Sequence, residues 1–135
     1  MKKTKSITTT QLGRYGENIA CDHLISKKYK IIERNYRASH NEIDIIAEDK
    51  KYIVFIEVKT RTVDPNNSLN FGTPAMAVNA SKQKRTIMAA NAYLNEHSSR
   101  KIPRLDVIEI YLANNVESKT PTVIHINHME DAFSN

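Results

Sequence analysis

The chain has 135 residues, of which 40% are hydrophobic and 26% charged, a balance typical of one globular domain. It has no apolar run of the roughly 20 residues needed to cross a bilayer, and its single cysteine, Cys21, excludes both a disulfide framework and a cysteine-rich zinc site. We therefore expect a cytoplasmic protein without membrane association. The net charge of +5 favours polyanionic partners, nucleic acid among them.

The pattern of apolar residues predicts a helix, three strands, a second helix and two further strands. We expect residues 1–10 to form a disordered basic tail and residues 11–135 to form one domain. The predicted helices span residues 11–27 and a stretch from 74 or 81 to 96, and the predicted strands span 30–37, 42–47, 52–60, 104–112 and 122–127. The first three strands form an antiparallel meander, and the second helix can cross over to a parallel fourth strand. This is an α/β fold with a mixed central sheet flanked by helices.

Three charged residues interrupt two neighbouring apolar strands. Side chains alternate along a strand, so Glu57 and Lys59 share a face. If the connection over residues 48–51 has an even number of loop residues, Asp44 lies on that face too, opposite Glu57 or one pair away. Two adjacent carboxylates repel each other, and a hard cation such as Mg²⁺ or Mn²⁺ resolves that conflict. Lys59 would then orient an attacking water or stabilise developing negative charge.

A plainer interpretation fits the spacing equally well. Glu57 and Lys59 can face solvent on an edge strand, with Asp44 in an ordinary cross-strand ion pair. Glu17 lies on or beside the apolar stripe of the first helix, where an acid is unusual without a partner, although a helix-surface position near that helix's positive end also explains it.

Basic residues lie before, between and after the candidate acids. One interpretation is a phosphate-binding rim, and the other is a solvated charged surface; the members are Arg34, Arg37, Arg61, Lys82, Lys84 and Arg85. Tyr36 and Phe71 can stack on nucleobases, but core packing is the expected role. We interpret His125 and His128 as a surface pair, His40 as a loop residue, Cys21 as a small core residue, and Asp106 as a structural partner of Arg104.

Seven stretches of the sequence, in this order, resemble the bacterial UPF0102 (YraN-like) family. They are residues 13–20 (Gly-Arg-Tyr-Gly-Glu-Asn-Ile-Ala), 34–37 (Arg-Asn-Tyr-Arg), 42–46 (Glu-Ile-Asp-Ile-Ile), 55–61 (Phe-Ile-Glu-Val-Lys-Thr-Arg), 71–74 (Phe-Gly-Thr-Pro), 104–107 (Arg-Leu-Asp-Val) and 131–133 (Asp-Ala-Phe). The acids and the lysine on their hairpin also resemble the PD-(D/E)XK nuclease superfamily, especially its Holliday-junction-resolvase-like branch. Two positions depart from the family: Asn41 stands where glycine is usual, and Leu105 where phenylalanine is usual. Asparagine tolerates a positive φ in the turn.

The resemblance implies a restriction-endonuclease-like αβββαβ core and a metal held by Asp44, Glu57 and the carbonyl of Val58. It also implies that Lys59 acts at the attacking water and that Glu17 supports the site. The function it suggests is a Mg²⁺-dependent endonuclease acting on DNA, including branched or damaged forms, and related junction-cleaving enzymes are commonly dimers. Two alternatives stay open: a non-catalytic nucleic-acid-binding domain, and an accessory protein of a DNA-processing complex.

Overall fold

The described part of the chain has seven elements of secondary structure in the predicted order. The computed structural model describes residues 8–63, 79–114 and 120–132. The helices are α1 (Thr9–Ser26) and α2 (Ala80–Glu96), and the strands are β1 (Lys30–Ala38), β2 (Asn41–Glu48), β3 (Tyr52–Thr62), β4 (Ile102–Ala113) and β5 (Thr122–Met129). Each predicted element is confirmed. The ends differ from the predicted ends by two residues at most, when the second helix is taken to start at residue 81, the later of its two predicted starts.

The strands form one five-stranded sheet in the order β1-β2-β3-β4-β5. Antiparallel pairing joins β1 to β2 and β2 to β3, α2 crosses over to place β4 parallel to β3, and β5 returns antiparallel to β4. The predicted α/β fold with a mixed sheet is therefore confirmed, and the arrangement is consistent with a restriction-endonuclease-like core. β3 lies at the centre of the sheet, where a charged side chain is far from any edge.

A tight turn sets the register of the β2–β3 hairpin. Asp49 Oδ1 accepts hydrogen bonds from the N–H groups of Lys51 and Tyr52, at 2.9 and 2.7 Å. Such a bond from a side chain to the backbone two or three residues on is typical of aspartate in turns. The register pairs Ile45 with Ile56 and Ile46 with Phe55. The even-numbered loop is thus confirmed.

The turn between β1 and β2 differs from the expectation drawn from Asn41. Ala38 pairs with Asn41 across this hairpin, and the residue with positive φ is Ser39, at 57°. Asn41 is already part of β2, where the backbone is extended. Its tolerance of positive φ is therefore not used.

Each helix covers one face of the sheet. On the α1 face, Ala20, Cys21 and Leu24 pack against buried aliphatic residues of the strands, namely Ile45, Ala47, Val54, Ile56, Ile108, Ile110 and Leu112. On the α2 face, Ala89, Ala90 and Tyr93 pack against Tyr36, Ile43, Ile46, Ile53 and Phe55. Cys21 and Tyr36 are core residues, as predicted. By alternation along β3, Glu57, Lys59 and Arg61 belong to the α2 face.

The start of α1 lies two residues earlier than predicted. Thr8 is its N-cap, and the side chains of Thr8 and Gln11 each accept a hydrogen bond from the other residue's backbone N–H. This reciprocal capping satisfies two of the donors that a helix leaves free at its first turn. Residues 8–10 thus belong to the capped start of the helix, whereas residues 1–7 of the predicted tail lie outside the described residues. Within the described residues, neither helix is long and apolar enough to span a membrane.

Candidate metal-binding active site

The candidate site lies where β2 and β3 separate. Their ladder ends at the pair Ile45–Ile56, whereas β2 stays paired with β1 as far as Asn41 and β3 stays paired with β4 as far as Thr62. Asp44 and Glu57 are the first residues beyond the last pair. The N–H of Val58 donates to Asp44 Oδ2 at 2.8 Å, so a side chain supplies an acceptor to the separating strand.

An open cavity of about 580 Å³ lies at this fork. Its walls come from the first half of α1, from β2 and β3, and from the start of α2; the described lining residues are Thr9, Thr10, Leu12, Gly13, Arg14, Glu17, Asp44, Glu57, Val58, Lys59, Thr60, Thr62 and Lys82. Every residue that we proposed as catalytic or metal-binding is in this set. The cavity is therefore the place where the predicted chemistry comes together.

Glu57 is buried and paired with a lysine from α2. Only 4% of Glu57 is exposed, and its Oε1 lies 2.6 Å from Lys82 Nζ. Lys82 is held near the start of α2, because its N–H donates to the N-cap side chain of Asn79 at 2.8 Å. Lys59 lines the same cavity but forms no ion pair with any residue in the described part of the chain. The charge of Lys59 is thus not used to neutralise an acid.

Glu17 is oriented from β1. Its carboxylate lies 3.9 Å from Arg34 Nη2, and the amide nitrogen of Asn35, turned toward the acids, donates to Oε1 of both Glu17 and Glu42 at 3.2 Å. Asn35 has φ of 55°, a conformation that asparagine adopts more readily than most residues. Arg34 and Asn35 thus fix the glutamate that α1 carries toward the fork.

A glycine allows α1 to approach β3 closely enough to place Glu17. A Cβ atom on Gly16 would overlap Thr60 Oγ1 and would lie 3.0 Å from both Cβ and Cγ2 of Thr60. Since any larger residue must push α1 away from β3, Gly16 determines how near the neighbouring Glu17 comes to the acids of the sheet. Gly13, one turn earlier, has open space where a Cβ would be.

The acids of the fork shift one another's ionisation. Burial raises the pKa of Asp44 to about 8, and the charges of Glu57 and Glu17 add to that effect against the hydrogen bond from Val58. Burial also raises the pKa of Glu17, although Arg34 and a hydrogen bond with Asp44 oppose it. Asp44 and Glu17 therefore stay protonated to higher pH than free carboxylic acids, until a nearby positive charge stabilises their ionised forms.

The donor set is compatible with a small hard cation. Within the described ranges, no three acidic, histidine or cysteine side chains are grouped closely enough to hold a metal by themselves. Asp44 and Glu57 offer two carboxylates, and Mg²⁺ is commonly held by only one or two, with water and substrate phosphate completing its coordination. The fit is thus to Mg²⁺ or Mn²⁺ and not to a metal that needs a full protein cage.

Four of the six predicted rim residues contact acids, and the other two are exposed on α2. Arg34 and Lys82 contact acids of the site, while Arg61 contacts Glu109 Oε2 at 3.1 Å through its Nε. Arg37 is 77% exposed and lies 3.8 Å from Glu42. Lys84 and Arg85 are exposed on α2 and are not among the described residues that line the cavity. Phe71 lies outside the described residues.

Two of the plainer interpretations are wrong. The pairing of Asp44 with Lys59 on an edge strand fails because β3 is central and Glu57 is buried. The surface pair of His125 and His128 fails because only 7% of the His128 side chain is exposed, and its Nε2 lies 2.7 Å from Asp106 Oδ2. Residues three apart on a strand point to opposite faces, so the spacing itself excluded a shared ligand.

Sequence reasoning missed the contributions of Asn35, Gly16 and Glu109. Asn35 and Gly16 lie inside the stretches that resemble the family, yet no pattern in the sequence links Asn35 to Glu17, 18 residues away, or Gly16 to Thr60, 44 residues away. Glu109 interrupts the apolar run of β4 and belongs to no recognised motif. Its partner Arg61 is 48 residues away, and only the parallel pairing of β3 with β4 brings the two together.

Comparison with known sequences identifies the family. The model of a family described as "Uncharacterised protein family UPF0102" matches residues 16–110. UPF0102 protein TTE1452 of Caldanaerobacter subterraneus is 41% identical over 130 residues, covering 96% of this chain and 99% of the relative. A UPF0102 protein of Chlorobium limicola is 46% identical over 90% of this chain and 91% of the relative, and one of Clostridioides difficile is 38% identical over 90% and 95%. The chain therefore belongs to the UPF0102 family.

Proposed function

We propose that this chain is a Mg²⁺- or Mn²⁺-dependent endonuclease of DNA, a member of the PD-(D/E)XK superfamily in its Holliday-junction-resolvase-like branch. One observation carries the proposal: the adjacent acids Asp44, half-buried, and Glu57, buried, lie where two strands of the sheet separate and open into a cavity that also holds two lysines. A purely architectural role gives no reason to place repelling carboxylates beside a cavity.

Some residues at the fork would bind the cation, and others would assist the reaction or support the acids. Asp44, Glu57 and the carbonyl of Val58 would hold the cation, which when bound supplies Lewis acidity toward a phosphate oxygen and lowers the pKa of a water. Lys59, whose amine is not engaged with an acid in the described part of the chain, orients the attacking water or stabilises charge at the scissile phosphate. Glu17, held by Arg34 and Asn35, supports the acids from α1.

DNA is the proposed substrate because the cavity is bordered by basic residues. Arg34, Lys59, Arg61 and Lys82 lie at or beside the acids, and Arg37, Lys84 and Arg85 extend the positive surface outward. Phosphate contacts of this kind bind without reading base sequence. Branched or damaged DNA is the proposed preference, homodimerisation is proposed by analogy with junction-cleaving enzymes, and the proposed location is the cytoplasm.

One contact favours the rival function, a non-catalytic nucleic-acid-binding domain or accessory protein. Lys82 Nζ lies 2.6 Å from Glu57 Oε1 and neutralises a carboxylate that the endonuclease needs as a ligand. If that ion pair is permanent, a cation has no place to bind. Under the endonuclease proposal a divalent cation competes with Lys82 for Glu57, so the response to metal separates the two functions.

The first experiment is DNA cleavage by Asp44→Ala, Glu57→Ala and Lys59→Ala variants in Mg²⁺ and in Mn²⁺. Each variant should lose at least about 100-fold in cleavage rate, because each removes a ligand or the cationic helper. Lys51→Ala, which removes an exposed lysine from the distant turn of the same hairpin, is the matched control and should cleave like wild type. Circular dichroism checks that all variants are folded. A fully active Glu57→Ala variant, in preparations free of contaminating nuclease, would refute the assignment.

A further inference from the structure

A second buried acid lies on the α2 face of the sheet, beyond the ligands of the fork. Glu109 of β4 is 1% exposed. It is paired in the parallel ladder with Lys59, yet its carboxylate contacts a different basic residue: Oε2 accepts from Arg61 Nε at 3.1 Å. Its other oxygen, Oε1, accepts from the Tyr111 hydroxyl and from Asn127 Nδ2, each at 3.2 Å. The carboxylate of Glu109 is therefore held on three sides.

Among the residues that the structure describes, the contacts of Arg61 leave part of its guanidinium for another anion. A guanidinium carries five N–H donors in a rigid plane, and the contact with Glu109 uses the Nε donor. The side chain of Arg61 is 43% exposed, so its outer edge reaches solvent. Two parallel donors on such an edge match two oxygens of a phosphate. A fixed plane also reduces the side-chain entropy lost when the phosphate binds.

The position of Arg61 relates it to the candidate active site. Arg61 follows Lys59 by two residues on the same face of β3, roughly 6.7 Å along the strand. That spacing is comparable with the separation of neighbouring phosphates along one DNA strand. Pairing Glu109 with Arg61 also leaves Lys59, the nearer partner in the ladder, available to the cavity.

We propose that Arg61 binds a phosphate adjacent to the scissile one through two hydrogen bonds, and that Glu109 is the positioning residue that orients its guanidinium. This inference rests on the proposed function, and it narrows the substrate to a polynucleotide with at least one phosphate beside the cleaved bond. A dinucleotide with a single phosphodiester lacks the group that Arg61 binds.

The test measures binding of a fluorescent DNA duplex by anisotropy with Ca²⁺ present, using wild type, Arg61→Lys, Glu109→Gln and the double variant. Arg61→Lys keeps the positive charge but loses the planar pair of N–H donors. The affinity for DNA should therefore fall about 10-fold, which corresponds to the loss of one charge-assisted hydrogen bond. The slope of DNA affinity against salt concentration should not change. Glu109→Gln should weaken binding by a similar factor, and the double variant should be no weaker than Arg61→Lys alone. Arg100→Lys, on an exposed connection, is the control and should match wild type.

The direction in which Glu109→Gln changes the affinity for DNA shows whether Glu109 orients Arg61 or only neutralises its charge. Removing a negative charge near DNA strengthens binding if Glu109 only neutralises Arg61, so tighter binding would overturn the proposal, as would an Arg61→Lys variant that matches Arg100→Lys. Because Arg61 is exposed, Arg61→Lys should leave the fold intact. It therefore tests the proposal even if Glu109→Gln is poorly folded. In cleavage assays, Arg61→Lys should raise KM for the duplex with little change in kcat and should leave dinucleotide cleavage unaltered.

Different experimental results would refute this inference and the endonuclease proposal. A wild type that binds DNA without cleaving it, with the expected losses in both variants, supports the role of Arg61 and refutes the nuclease. A wild type that cleaves DNA while both variants bind like the control refutes the role of Arg61 alone. A wild type without measurable affinity for the duplex at low salt overturns both.

Discussion

Two aspartates on the strands that flank β3, Asp44 of β2 and Asp106 of β4, have opposite electrostatic surroundings. Asp106 is fully buried and accepts bonds from Arg104 Nε and Nη2 at 2.9 and 2.8 Å, from His128 Nε2 at 2.7 Å and from the Asp131 N–H at 3.0 Å. Burial opposes its ionisation, but the hydrogen bonds from His128 and Arg104 outweigh that effect and lower its pKa. Asp44 has one backbone donor and acidic neighbours, and its pKa rises to about 8.

We interpret this difference as follows: Asp106 is a carboxylate that stabilises the fold, and Asp44 is one that can bind a ligand. Around Asp106, Arg104 also reaches the Tyr29 hydroxyl at 2.6 Å and lies over the ring of Tyr52, so both Asp106 and Arg104 have partners within the chain. Among the described residues, the basic side chains near Asp44 form ion pairs with Glu17 and Glu57 and not with Asp44 itself. Functional sites often keep such local conflict at a cost in stability.

The largest effect is expected from removing the satisfied aspartate. Asp106→Ala leaves Arg104 buried, 8% exposed, and without its bidentate partner. Breaking a buried ion pair on one side costs about 3–5 kcal/mol, which for a domain of this size is a loss of more than 10 °C in Tm. Thermal unfolding followed by circular dichroism measures it. A loss below about 1 kcal/mol would show that the fold does not depend on the network around Asp106.

A smaller effect is expected from the glycine that brings α1 to the fork. Gly16→Ala forces a Cβ into Thr60, and overpacking of this kind typically costs 1–3 kcal/mol. It should also reduce DNA cleavage, because Glu17 moves with the helix. Gly13→Ala is the matched control, since its Cβ meets open space; it should be neutral or stabilising by about 0.5–1 kcal/mol. Equal destabilisation by both changes would refute the close-packing argument.

A further effect concerns pH and compares wild type with Asp44→Asn in chelator. The pKa of Asp44 is about 8 in the folded chain against an ordinary value of 3.8, so the folded state binds more protons than the unfolded state between those values. The free energy of unfolding that Asp44 contributes is therefore fully present below pH 4 and is lost as pH rises toward 8. Asn cannot titrate, so the Tm difference, variant minus wild type, should increase from pH 5 to pH 8. A constant difference would contradict the raised pKa.

The sequence predicted the elements of the sheet and the placement of Asp44 beside Glu57 well, for identifiable physical reasons. Period-two alternation and the short polar turn between β2 and β3 fix the register that places Asp44 beside Glu57. Arg104 and Asp106, two apart on one strand, share a face, and their predicted pairing is confirmed. These relations are local, and local relations follow from backbone geometry alone.

The relations that sequence reasoning missed all depend on distant pairing. Lys82 reaches Glu57 only because α2 crosses back over the sheet, and Arg61 meets Glu109 only because β4 lies parallel to β3. The link between His128 and His23, at 3.2 Å, joins residues 105 positions apart. No spacing rule connects such residues before the topology is known.

The central claim is that the fork binds a divalent cation through Asp44, and one measurement addresses it without a substrate. Thermal unfolding is followed for wild type and Asp44→Asn, each in chelator and in Mg²⁺ or Mn²⁺. In chelator, Asp44→Asn should be as stable as wild type or more stable by up to about 1 kcal/mol, because asparagine still accepts from the Val58 N–H and places amide donors among the acids. Metal should raise the Tm of wild type only, since a ligand stabilises the state that binds it. A lower Tm for the variant in chelator, with no metal response in wild type, would contradict the claim and identify Asp44 as a structural residue like Asp106.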